Sequence, residues 1–129
     1  MIKKGCLLFS PQNLWLGNIN LNTEFEIAMV SPSYKIYEIK DTINPRWLIS
    51  ILKSPKLMYE YKLVSEQGAS VVRRNLDLKR FLEIIIEMPE NQNQIGSVLN
   101  LIEEKIKTLT LILLNIRKMK VSLLKEMFI

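Results

Sequence analysis

A chain of 129 residues has room for one domain and an appended helix, and its 48% hydrophobic and 24% charged content is that of a packed rather than a disordered protein. The net charge of +5 permits contact with a polyanion without demanding it, because residues 1–89 carry 12 basic and 9 acidic groups and residues 90–129 carry 6 and 4. The absence of histidine excludes the usual triads, histidine metal ligands and imidazole acid–base catalysis, and one cysteine can supply neither an internal disulfide nor a zinc site.

Read in chain order, Lys3 to Phe9 predicts a short strand in which Cys6 is a small buried hydrophobe. An Asn-rich loop follows from Ser10 to Asn22, with Pro11, Trp15 and Gly17. Phe25, Ile27 and Met29 alternate with Glu24, Glu26 and Ala28, which predicts a strand with the apolar set turned inward. Ser31-Pro32-Ser33 breaks it, and Tyr34 to Ile39 resumes extended structure. Asn44 is a candidate N-cap with Pro45 at the first helical position, opening a helix through about Lys53 that Ser54-Pro55 ends. Tyr59 to Ser65 reads as a strand, Glu66 to Ser70 as a polar turn leading into Val71 to Arg74, and Asn75 as a cap on a single turn from Leu76 to Arg80. Phe81 to Met88 reads as an apolar strand that Pro89 stops.

Glu90 to Ile129 then reads as one uninterrupted helix. Ile95, Leu99, Ile102, Ile106, Leu109, Leu113, Ile116, Lys120, Leu123 and Met127 recur at alternating steps of four and three, the 3.5-residue period of a coiled-coil seam. At 1.5 Å per residue such a rod is about 60 Å long, more than the preceding segment can cover. The seam therefore predicts a dimer interface, with Lys120 snorkelling to solvent or fixing register. Glu103-Glu104 is read as a solvated helix face. The predicted fold is α+β, a small mixed-strand body over residues 1–89 and a long helix over residues 90–129.

Motifs for chemistry are missing. The four glycines, Gly5, Gly17, Gly68 and Gly96, are too scattered for a phosphate-cradling loop. Ser31-Pro32-Ser33-Tyr34 and Asn44-Pro45-Arg46-Trp47 each approximate the Asn/Asp-Pro-Pro-aromatic signature of amino-methyltransferases, but neither matches throughout and no glycine-rich cofactor loop precedes them. No catalytic residue, metal or cofactor is predicted. The apolar run Leu109 to Ile116 is too short and too interrupted for a transmembrane span, and Met1 to Gly5 lacks the features of a signal peptide, so a cytoplasmic protein without membrane contact is expected.

Five segments in register resemble the specificity (DNA-recognition) subunit of type I restriction–modification systems. Lys4 to Phe9 is similar to that family's Gly-Asp-Ile-Leu strand, with Cys6 at the acidic position, and Val30-Ser31-Pro32-Ser33-Tyr34 to its Val-Ser-Pro-x-Tyr segment. Trp47 to Ser54 falls where the family has a short helix, and Gly68-Ala69-Ser70 to Leu76 resembles its glycine-serine turn with a following basic residue. Ile86 to Pro89 followed by Asn91 to Ile95 resembles its Ile-Pro-x-Pro-x-x-Glu-Gln-x-x-Ile junction, with one proline, and with Asn91 and Gln92 in place of Glu-Gln.

The resemblance implies a non-catalytic subunit. In that family a target recognition domain reads half of a split site, and two conserved helices pack antiparallel as a spacer that docks modification (methyltransferase) subunits and, in the full complex, a restriction subunit. This chain has one region of each kind, and its first residues match a point inside the family's recognition domain, so residues 1–89 are expected to be a partial recognition domain. The expected partners are duplex DNA, those subunits, and a second copy of the helix or another specificity fragment. Candidate base-reading residues are Asn13, Trp15, Asn18 and Asn20 in the first loop and Gln67, Ser70, Arg73, Arg74 and Asn75 around the turn. Lys53, Lys56 and Lys62 are candidates for phosphate contacts. Tyr34 and Trp47 are expected in the core. A helical-stalk interaction protein without DNA binding is the rival reading.

Overall fold

A computed structural model describes residues 1–128 and shows the mixed architecture, a strand-rich body and one long helix. Three small antiparallel sheets make up the body. β2 (Leu7–Phe9) is central in the largest, between β3 (Ile19–Leu21) and β5 (Lys35–Tyr37). β1 (Ile2–Lys3) pairs with β4 (Ile27–Ala28), and β6 (Ser65–Gln67) forms a hairpin with β7 (Arg74–Leu76). Cys6 is buried beside β2, as a small hydrophobe there should be.

Two helices close the core over that central sheet. α1 (Pro45–Leu52) starts where Asn44 Oδ1 accepts from the Arg46 and Trp47 amides, both at 3.0 Å. α2 (Pro55–Leu63) starts at Ser54, whose hydroxyl accepts from the Leu57 amide at 3.4 Å. Leu52, Leu57 and Tyr61 from these helices pack with Leu7, Phe9, Leu14 and Ile19. The Phe9 ring stacks on Tyr37 at 5.8 Å and meets Phe81 at 5.0 Å. Tyr61 donates its hydroxyl to the Leu52 carbonyl at 2.9 Å, which satisfies the only polar atom of a fully buried ring. Burial holds that phenol well above its usual pKa of 10.0.

Several local expectations are corrected, beginning with the loop expected from Ser10 to Asn22, which contains β3 and so places Asn20 on a strand. Tyr59 to Ser65 is mostly the second half of α2, because Ser54-Pro55 both ends one helix and caps the next. Phe81 to Met88 is not a strand: Asp77 Oδ1 accepts from the Lys79 and Arg80 amides and starts α3 (Leu78–Leu82), after which the chain to Pro89 is irregular. Asp77 thus takes the capping role expected of Asn75, which lies in β7 opposite Glu66. Phe25, Ile27 and Met29 face out, at 60%, 66% and 87% exposure. The Asn22 side chain donates to the Phe25 carbonyl at 2.7 Å and accepts its amide at 3.1 Å, fixing the register that turns Ala28 inward.

α4 (Gln92–Met127) is the expected long helix, 36 residues and so about 54 Å. Pro89 precedes it, and Ile129 lies outside the described residues. No helix among the described residues is long and apolar enough to cross a membrane.

Candidate functional site

The root of α4 is fixed to the body by polar contacts. Gln92, 7% exposed, accepts from the Asn44 amide at 2.8 Å through Oε1 and donates to the Thr42 carbonyl at 3.0 Å through Nε2. Asn44 Nδ2 donates to Asn93 Oδ1 at 3.1 Å. One turn on, a Cβ at Gly96 would lie 2.2 Å from Asn44 Oδ1, so glycine is what lets the capping residue and the rod approach this closely. Arg46 in α1 completes the root as an ion pair with Glu103, which is therefore half-buried and engaged rather than a free solvated carboxylate; Glu104 is exposed as expected.

Beyond Glu103 the rod leaves the body. Every described residue from Glu104 to Phe128 is exposed. Ile95 and Leu99 are half-buried at the root, whereas Ile102, Ile106, Leu109, Leu113, Ile116, Leu123 and Met127 are 48–73% exposed along with Lys120. Apolar residues off the seam, among them Val98, Ile112 and Met119, widen the uncovered face on one flank. An apolar strip of this length in water is larger than the scattered exposed side chains of an ordinary surface.

A second candidate region forms where the β6–β7 hairpin meets the first loop. Trp15 Nε1 donates to the Val72 carbonyl at 3.1 Å, and the Arg74 amide donates to the Gln12 carbonyl at 3.0 Å. The Arg74 guanidinium lies 5.8 Å from the Trp15 ring centre. It donates to Ser65 Oγ and the Ser65 carbonyl, both at 2.8 Å, and to the Lys62 carbonyl at 3.4 Å. Arg74 thus braces the hairpin against the end of α2. Arg73 next to it is exposed and makes no ion pair or side-chain hydrogen bond among the described residues. Gln67, Ser70, Asn75 and Lys62 are exposed around the same hairpin, and Ser70 Oγ accepts from the Val72 amide at 3.4 Å.

Of the remaining candidates, Asn13 lies between Gln12 and Trp15 in the loop that meets the hairpin, and the others lie elsewhere. Lys53 Nζ donates to Asn20 Oδ1 at 2.8 Å beside the rod's root, and Asn18 Nδ2 donates to the half-buried Tyr34 hydroxyl at 3.3 Å. Lys56 lines a cleft of about 690 Å³ between α2 and the segment around Ile84 to Glu87. Asn13 is half-buried, with its Oδ1 shielded and unpartnered. Trp47 is a core residue at 4% exposure. Among the described residues no group of His, Cys, Asp and Glu has the arrangement of a metal site.

Sequence reasoning missed the root. Asn44 was legible as a cap, but not as a partner of residues 92 and 93 nearly fifty positions on. Comparison with family models, curated proteins and solved structures finds no match.

Proposed function

We propose that this chain is a non-catalytic DNA-recognition fragment of the type I restriction–modification specificity kind. The exposed polar and basic residues of the hairpin read a half-site in duplex DNA, and the rod pairs through its seam to form a spacer that docks methyltransferase and restriction subunits in the cytoplasm. One observation carries the reading: a rod anchored at one end, with its apolar seam uncovered from Ile102 to Met127. The five sequence segments described above supply the family.

Charge favours antiparallel pairing with a second copy. Parallel pairing sets the basic distal halves side by side, whereas full antiparallel overlap sets each against the root of the other, where Glu104 is exposed and Glu103 is already paired with Arg46. That overlap pairs Ile95 with Met127, Leu99 with Leu123, Ile102 with Lys120, Ile106 with Ile116 and Leu109 with Leu113, and leaves no seam position unmatched.

In the hairpin, Arg73 is the residue with a free guanidinium, the group suited to bidentate contact with guanine. The test is binding of the purified chain to duplexes selected from a randomised pool. Four phosphate contacts give a log–log salt slope of about −3.6. No detectable duplex binding at low salt refutes DNA recognition. A stable dimer lacking it favours the stalk protein, which the same uncovered seam supports.

A further inference from the structure

The rod is charged unevenly along its length. Its carboxylates up to residue 104 are Glu103 and Glu104, with Glu90 just before it, while from Lys105 to Met127 it carries Lys105, Lys107, Arg117, Lys118, Lys120 and Lys125 against Glu126 alone. All six cations are exposed, and none forms an ion pair among the described residues. Three of them fall in line. Lys107, Lys118 and Lys125 project within about 20° of one another on a straight helix of 3.6 residues per turn, or within about 50° at the 3.5-residue period of a coiled coil, and span about 27 Å. With Leu99 and Ile102 at a and d, these lysines occupy b and f, the outward positions of a coiled coil. Pairing through the seam therefore leaves the basic ridge facing solvent.

We propose that this ridge is a second, sequence-independent DNA contact, in which Lys107, Lys118 and Lys125 bind phosphates of the duplex running alongside the rod. The inference rests on the half-site reading above, which brings duplex DNA to this chain, and adds a binding surface to it. A duplex carries about one charge per 1.7 Å of axis, so a straight ridge of this length lies beside about eight base pairs of regularly spaced phosphate. An anionic lipid surface would need the cations to flank the apolar face, so that both enter one interface. Here the ridge and the seam point different ways, and the seam, with Lys105 and Arg117 at its flanking positions, is taken by the second helix.

The test uses the full chain and labelled duplexes of about 30 base pairs, long enough for the ridge to reach. The triple variant K107Q/K118Q/K125Q keeps good helix formers at exposed positions, and circular dichroism and light scattering check that fold and pairing persist. With the ridge added to four contacts on the body the slope is about −6.3, and losing its three phosphate contacts lowers the magnitude by about 2.7, back to about 3.6. Between 50 and 200 mM salt the unaltered chain then loses about 40-fold more affinity than the variant. Sequence preference in the randomised pool stays unchanged, whereas R73Q relaxes it. An unchanged slope in the triple variant, with the parent still binding duplex, overturns the ridge and leaves half-site reading intact. Failure of the parent to bind any duplex overturns both. Sedimentation of the parent with phosphatidylglycerol vesicles, lost in the triple variant while duplex binding is unaffected, also overturns the proposal and assigns the ridge to lipid.

Discussion

Replacing Leu109 and Leu113 together with alanine tests the role of the rod. In the antiparallel overlap these residues form the central layers, and in the isolated chain they are 55% and 48% exposed. Fully burying a leucine is worth about 1.5–3 kcal/mol, and half of that shielding already comes from the helix itself, so pairing recovers about 1 kcal/mol for each. Four leucines leave the interface of a symmetric pair. With incomplete collapse of the resulting gaps, the loss is about 4–6 kcal/mol, or a dissociation constant some 10³ to 10⁴ times weaker. Alanine is the best helix former, and both side chains lie far from the body, so thermal stability of the body should not change. Sedimentation equilibrium should show twice 15.1 kDa for the parent chain and 15.1 kDa for the variant at micromolar concentration. A parent chain that stays at 15.1 kDa at 100 µM or so, or a variant that pairs as tightly as the parent, would refute the reasoning.

Gly96→Ala forces a methyl group against Asn44, displacing the cap of α1. Loss of a cap costs about 1–2 kcal/mol, visible as a lower urea midpoint with unchanged slope. Arg74→Ala should destabilise the body by about 2 kcal/mol through lost charged hydrogen bonds, while Arg73→Ala leaves the urea midpoint within about 0.5 kcal/mol and weakens DNA binding. Tyr61 gives a pH test. Its folded-state pKa is raised above the ordinary 10.0, so the unfolded chain loses this proton first, and the stability it contributes is intact below pH 10 and falls above it. Phenolate absorbance should therefore show one tyrosine ionising only together with alkaline unfolding. A Tyr61 that titrates in the folded chain at its ordinary value would contradict its burial.

Local punctuation was legible where one signal acted alone. Asn44-Pro45 gave the start of α1, and the alternating steps of three and four gave α4 to within two residues at its start. Ser54-Pro55 misled because the same pair can stop a helix or start one, and only packing of Leu57 and Tyr61 on the core decides for the start. Ile84 to Ile86 carry the β-branched content of a strand, but among the described residues they pair with no strand. Phe25, Ile27 and Met29 show that alternation fixes two faces without saying which is inward. For the candidate site, residue type singled out Arg73 and Arg74 equally. Their division into a free and a braced guanidinium depends on Ser65, Lys62 and Trp15 coming together in space, which spacing along the chain does not encode.

The polar lock at Gln92, Asn44 and Gly96 turns the helix into a lever. Over about 54 Å, a tilt of only 5° at the fulcrum would swing the far tip by about 5 Å, more than the rise of one base pair. Whatever is measured out along this arm is thus held true by a handful of amide contacts at its hinge end, and a mutation there would act at a distance on a partner it never touches.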